Sequence, residues 1–395
     1  MNMPSADVLR RPVRYGEGAI IGAAEIVRAR GSVRVLLVTG KRSFRASGAD
    51  RLLAGLEAVA EVRRWSDFRP NTDAADLAVG LGVVEDFGPD LILAVGGGSA
   101  MDMAKLLCAY EGTSREAALL KGIRAGGSVD DRRMQLVLAP TTSGSGAEAT
   151  RFAVVYIGDD KFSIAGPAML PDAVILDPSL TRSGSRYQRA TSGIDAVAQA
   201  IESLWATGAT ERSRGFARHA LRLLLPNIEP FVNEADAEAS HRMALGSHLA
   251  GRAIDISKTT AAHALSYGIT KGYGVSHGHA VALTLGAFIE AHADASSSSL
   301  QPGIDSTTHN QNMQIILSLL AAGNGTEAAD NFTALLERLG LNPSLPAAGL
   351  VEEKQRDHLI VGVNTERLGN NPVLFDKAGL RDILDRSSWR AARSS

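Results

Sequence analysis

All nine histidines of this chain lie after residue 218, so imidazole chemistry is confined to its second half. Asp195 and Gln199 stand at i and i+4 in GIDAVAQAIES, which places both on one face of a helix. His263 lies in HALSYGI and His277 opens HGHAVALTL, two further helical stretches. One carboxylate and two imidazoles from separate helices can form a divalent-metal site, whereas scattered histidines are otherwise surface or satisfied core groups.

The first half carries different chemistry. Gly96-Gly97-Gly98-Ser99 follows the apolar run LILAV and opens a helix, AMDMAKLLCAY. A glycine turn at a helix amino end lets backbone N–H groups approach a pyrophosphate, with the helix dipole favourably aimed. Its spacing is not GxGxxG, and an ordinary tight strand–helix connection is the bland alternative. Asp102, in that helix, either accepts from a ribose or nicotinamide group or favours the first turn. A second small-residue loop, PTTSGSGAE, offers Thr141, Thr142 and Ser145 to the other side of a dinucleotide. Lys161, beyond the next strand, is long enough for a phosphate or ribose, and Asn71 joins the same candidate set at a helix start. The run VRVLLVT ends at Gly40-Lys41-Arg42. NAD-preferring sites often put a carboxylate at such a strand end; Gly40 supplies none, and two cations suit a 2′-phosphate, so NADPH is favoured over NADH. Cys108, in an apolar run, reads as core rather than nucleophile.

These groups need a scaffold. Val33–Thr39, Leu91–Val95, Leu136–Ala139, Phe152–Ile157 and Ala173–Leu176 read as strands, and the first two are apolar enough for burial on both faces. Ser43–Val59 and Thr72–Phe87 have helical spacing between them, which implies a doubly wound, mainly parallel α/β sheet. After Pro178 strand signals nearly vanish, and seven stretches from Ile194 to Leu339 read as helices. The expected architecture is an α/β nucleotide-binding domain, 1–182, followed by an all-α metal- and substrate-binding domain, 183–395. Residues 296–312 read as a polar loop, and the tail from Ser387 to Ser395 as frayed.

Composition bounds the function. With 41 Lys and Arg against 43 Asp and Glu the net charge is −2, which offers no general attraction to nucleic acid or an anionic membrane. Met1 to Gly16 lacks an apolar core of signal-peptide length, and no apolar run suffices to span a bilayer. One cysteine rules out an intrachain disulfide framework and suits a reducing compartment; the expectation is a cytoplasmic enzyme.

Taken in order, GGGSAMDMAK, PTTSGSGAE, GIDA, HALSYGI, VSHGHAVALTL and Asn371-Pro372 resemble the iron-containing alcohol dehydrogenase family over nearly the whole chain. The resemblance implies a nucleotide domain, a helical metal domain, an active site in the cleft and a homodimer or larger assembly. It implies Fe²⁺, with Zn²⁺ as the alternative ion, held by one Asp and three His. Asp195, His263 and His277 match three of these positions, and Gln199 replaces the fourth. A Gln oxygen is a weaker donor than imidazole, so either Gln199 or a water completes the shell. Where the family often has a further histidine stands Tyr267, which leaves Tyr267, His279 or a water as proton donor. Arg151, Lys258 and Arg367, with Asn371, form a cationic and polar set unneeded for neutral substrates. They look most like the branch that reduces phosphonoacetaldehyde to 2-hydroxyethylphosphonate, since Arg and Lys satisfy phosphonate oxygens. The expected substrate is thus a small anionic aldehyde. The alternatives are another aldehyde, such as succinic semialdehyde, or a metal-free nucleotide-binding protein that has lost catalysis.

Overall fold

The computed structural model describes residues 12–113, 115–158 and 160–393, and the chain divides into two compact units after Gly184. In the first unit, β1 (Val13–Tyr15), β2 (Arg34–Thr39), β3 (Glu61–Trp65), β4 (Leu91–Gly96), β5 (Gln135–Pro140) and β8 (Ala173–Leu176) form a parallel sheet in the order β1-β8-β5-β4-β2-β3. Alternate side chains of the central strands enter two cores. Leu36, Val38, Ile92 and Ala94 pack on one face, while Val35, Leu37, Leu93 and Val95 pack on the other. The chain leaves β2 toward one edge and β4 toward the other. The carboxyl ends of β2 and β4 therefore flank the topological switch, where open α/β sheets bind ligands.

Three sequence expectations change here. Phe152–Ile157 (β6) is outside the parallel sheet; it pairs antiparallel with β7 (Asp160–Ala165), and its alternating burial is that of a ribbon with one wet face. The helix expected over Ser43–Val59 is three short pieces, because Gly48 takes a left-handed φ of 74° and stops the first. Strand β3 was not expected: its charged sequence EVRRW is mostly uncovered at the sheet edge, where charge discourages further pairing.

The second unit is helical, with one isolated Leu300–Val373 bridge among its described residues. Helix Arg186–Trp205 starts at a Ser185/Gln188 capping box, about two turns before the expected Ile194. Residues 296–312 are only partly loop, since Asp305 accepts from the Thr307 and Thr308 amides and starts helix Ser306–Leu319. The tail is not frayed over its described part: helix Lys377–Arg393 anchors Leu380, Ile383, Leu384 and Ser387 in the core. Residues 394–395 lie outside the described residues. No helix among the described residues is long and apolar enough to cross a membrane.

Candidate active site

In the first unit the two small-residue loops meet. Gly97 caps helix Gly98–Ala109 in extended backbone, and a Cβ on Gly98 would come within 3.2 Å of the Ser145 side chain. A Cβ on Gly97 would sit 3.5 Å from the Thr142 methyl. The Asn71 amide donates to Ser99 Oγ at 3.1 Å. Gly97, Gly98, Ser99, Asn71, Thr142 and Ser145 are thus one cluster around a helix amino end, and the Thr141 amide ties the second loop to Gly96 O at 2.9 Å.

Asp102 turns toward β6 and accepts from the Val154 amide at 3.1 Å. Burial pushes its pKa up to about 6, against the opposing pull of Lys105 and Lys161. Lys105 was missed by the sequence reasoning. It is fully buried and donates to Thr150 O (2.7 Å), Thr150 Oγ1 (3.0 Å) and Phe152 O (2.9 Å), which pins the end of the Thr141–Thr150 segment. Its place one helical turn after Asp102 was the available signal.

At the end of β2, a Cβ on Gly96 would lie 3.4 Å from the Gly40 amide, so the two strand ends are adjacent. Lys41 pairs with exposed Asp67 at 3.6 Å, and Arg42 is exposed. A third cation joins them: Arg64 donates to Thr39 Oγ1 at 2.8 Å and lies over the Phe44 ring. Sequence reasoning missed it because its strand was not recognised. Arg151 is exposed just before β6.

In the second unit, Asp195 and Gln199 are buried one turn apart, and Gln199 Nε2 donates to Asp195 Oδ2 at 3.1 Å. Asp195 Oδ1 lies 3.4 Å from His263 Nε2 and 3.8 Å from His277 Nε2. One ligand atom of each of these three residues falls within 4.8 Å of the others. Gly278 makes this approach possible. A Cβ there would lie 2.0 Å from Thr191 O and 2.7 Å from Asp195 Cβ, so only glycine lets helix His277–Ala293 come this close to helix Arg186–Trp205.

Glu202, two turns after Asp195 on the same face, completes the arrangement. It is fully buried; Oε1 accepts from Thr260 Oγ1 (2.8 Å) and the Ala262 amide (3.1 Å), and Oε2 accepts from His263 Nδ1. With Nδ1–H held there, His263 Nε2 faces Asp195 and makes no hydrogen bond of its own. Burial alone would lower the His263 pKa, but the Glu202 charge and Asp195 outweigh it and raise it to about 10. Burial likewise pushes Glu202 upward, yet His263 and the hydrogen bonds hold it below the usual carboxylate range. The pocket thus calls for positive charge, and its donor set of one carboxylate oxygen and two imidazole nitrogens fits a first-row divalent ion.

Tyr267 stacks on His277, with ring centroids 5.9 Å apart and planes at 13°. His279 is not brought to this cluster. Two positions after His277 it faces the opposite side of the helix, where Nδ1 meets Tyr187 Oη (3.2 Å) and Nε2 meets Asn342 O (2.8 Å). Burial lowers its pKa, against the Asn342 carbonyl. Asn371 is fully buried and donates to Val373 O at 2.7 Å. Arg367 is half-buried on the short helix Thr365–Gly369. Lys258 caps helix Ala237–Ser257 shortly before His263.

Comparison with known proteins decides the class. The profile "Iron-containing alcohol dehydrogenase" matches residues 11–178, and "Fe-containing alcohol dehydrogenase family, C-terminal" matches residues 189–388. The chain belongs to the iron-containing alcohol dehydrogenase family. It is an oxidoreductase of this NAD-linked class. A phosphonoacetaldehyde reductase of Streptomyces viridochromogenes is 30% identical over 307 residues, 76% of each chain. A choline dehydrogenase of Bacillus subtilis is 33% identical over 285 residues, 70% of each. The crystal structure of a sulfoacetaldehyde reductase from Bifidobacterium kashiwanohense in complex with NAD⁺ is 26% identical, with a TM-score of 0.85 over 96% of this chain and 97% of that one.

Proposed function

We propose that this enzyme reduces phosphonoacetaldehyde to 2-hydroxyethylphosphonate, with NADPH used at least as well as NADH. The balanced reaction takes one aldehyde, one reduced nicotinamide and one proton to the alcohol and the oxidised cofactor. The observation that carries the chemistry is the Asp195–His263–His277 triad with Glu202 behind His263. When bound, a divalent ion there supplies a Lewis acid and the reduced nicotinamide a hydride.

The chain's own residues do the rest. Asp195, His263 and His277 hold the ion, the Gln199 oxygen or a water completes the shell while the Gln199 amide orients Asp195, and Glu202 fixes the His263 tautomer. Tyr267, against His277, is the proton donor; His279 is unsuited because both its ring nitrogens are engaged. Gly97, Gly98, Ser99, Asn71, Asp102, Thr141, Thr142, Ser145 and Lys161 cradle the dinucleotide. Gly40 brings no carboxylate to the adenosine end, where Lys41, Arg42 and Arg64 outnumber Asp67 and attract a 2′-phosphate.

Two relatives of this chain are named for two-carbon aldehydes that carry an oxyanion, which supports an anionic substrate. Arg151, Lys258 and Arg367 are the cations assigned to it. A panel of phosphonoacetaldehyde, sulfoacetaldehyde, succinic semialdehyde and propanal, assayed by NADPH oxidation with Fe²⁺, tests this. The expected result is the highest kcat/KM for phosphonoacetaldehyde; equal or better use of propanal overturns the substrate assignment.

A further inference from the structure

The two histidines of the metal centre are held unequally. The His263 side chain is 4% exposed and meets the Glu202 carboxylate through Nδ1. The His277 side chain is 41% exposed, so burial does little to fix its ring. Gly274, at a left-handed φ of 68°, ends helix Ala261–Tyr273, and three residues later His277 opens the next helix. The chain thereby folds back, and the His277 ring lies against two consecutive residues of the helix just left. Tyr267 stacks on its face, with planes at 13°, and Ser266 Oγ reaches its Nδ1 at 3.4 Å. The same turn brings the His263 and His277 ring centroids to 5.3 Å.

Ser266 is fully buried, and its hydroxyl offers one proton and two lone pairs. The proton goes to His263 O, one turn back in the same helix, at 2.8 Å. Toward His277 the oxygen then only accepts. Nδ1 must carry the His277 proton, since a bare Nδ1 would set one lone pair against another. His277 Nε2, 3.8 Å from Asp195 Oδ1, therefore keeps its lone pair, as a metal-ligating imidazole requires. For the helix alone alanine would serve better than serine, and the contact with His277 is what the hydroxyl adds.

We propose that Ser266 is a positioning residue of the metal centre, which fixes the tautomer and ring of His277 as Glu202 fixes those of His263. The inference deepens the metal-dependent reading of the Asp195–His263–His277 site and rests on it. The two supports differ in kind: Glu202 sets a negative charge behind its imidazole, whereas Ser266 supplies a neutral acceptor, so its removal falls at the low end of the losses usual for groups behind a metal ligand.

The test compares parent enzyme with Ser266→Ala. Both are measured by chelator competition for Zn²⁺, by thermal unfolding without metal, and by nitrogen–proton spectra of the histidine-labelled proteins at saturating Zn²⁺, a diamagnetic probe. Ser266→Ala should bind Zn²⁺ about tenfold more weakly. Its metal-free Tm should stay close to the parent's, because alanine suits a helix interior. The parent should show Nδ1–H protons of both His263 and His277 protected from exchange with water. Ser266→Ala should keep the His263 signal and lose that of His277, a selective change that general loosening of the fold would not produce. Unchanged Zn²⁺ affinity, a His277 Nδ1–H still protected in Ser266→Ala, or loss of both signals together each overturn the proposal. A parent enzyme that binds no Zn²⁺ overturns the metal-centre reading itself, and the proposal with it.

Discussion

Replacing Glu202 by glutamine exchanges one oxygen for an NH₂ group at a fully buried position, and the hydrogen-bond pattern fixes the consequence. One carboxylate oxygen accepts from Thr260 Oγ1 and the Ala262 amide, and a glutamine oxygen keeps both bonds. The other accepts from His263 Nδ1–H. A glutamine NH₂ there opposes one donor to another, and the pair is reconciled only if His263 moves its proton to Nε2. That nitrogen faces Asp195 at 3.4 Å and is needed as a lone-pair donor to the ion. Losing a carboxylate behind a ligating histidine costs about 10- to 100-fold in metal affinity, or about 1.4–2.8 kcal/mol. The assay is competition for Fe²⁺ or Zn²⁺ with a chelator of known affinity, alongside thermal unfolding of the metal-free proteins. Glu202→Gln should bind metal at least tenfold more weakly while the metal-free protein stays folded. Unchanged affinity would refute the assignment of Glu202 as the group that sets the His263 tautomer.

Gly40→Asp should shift the ratio of NADPH to NADH efficiencies toward NADH by about tenfold, because the carboxylate adds a ribose acceptor and repels a 2′-phosphate. The new Cβ would clash only with the Ser43 hydroxyl, at 2.1 Å, which a rotation about χ1 relieves, so folding should survive; an unchanged ratio contradicts the placement. Gln199→His should tighten metal binding, since imidazole outcompetes a neutral amide for first-row ions. Chelator competition reads this, and unchanged affinity would remove position 199 from the coordination shell. Acid should destabilise the second unit through His292, which is buried against Trp205 and whose pKa burial pushes down to about 3. Below pH 6.5 the unfolded chain binds a proton that native His292 refuses, so stability falls with falling pH, by about 2 kcal/mol between pH 6.5 and 5. Denaturant titrations at several pH values should show a flatter profile for His292→Phe; parallel profiles would sink the attribution.

The buried strands β2 and β4 were legible because burial on both faces leaves continuous apolar runs, and the glycine turn after β4 was legible because helix amino ends beside a sheet need it. Strand β3 was not, since edge position permits charge, and Arg64 was lost with it. Within the metal centre, Asp195, His263 and His277 carry recognisable chemistry. Glu202 sat two turns along the same helix face, but a carboxylate in a helix ordinarily reads as solvated, and only its burial against His263 reveals its role. His279 shows the converse: proximity in sequence to His277 suggested the cluster, and helical periodicity turned it to Tyr187 and Asn342. The positive φ of Lys258 (61°), in a turn where Asn370 Nδ2 donates to Ser257 O and Thr259 O, has no sequence signature, because residues distant along the chain close that turn.

Metal-stripped enzyme assayed with phosphonoacetaldehyde and NADPH, before and after Fe²⁺ is restored, tests the central claim most directly. Aldehyde-dependent NADPH oxidation should be absent from the stripped protein, return with Fe²⁺ in the parent, and fail to return in His263→Ala. Full activity without metal, or equal recovery in His263→Ala, would contradict a reduction that depends on the Asp195–His263–His277 centre.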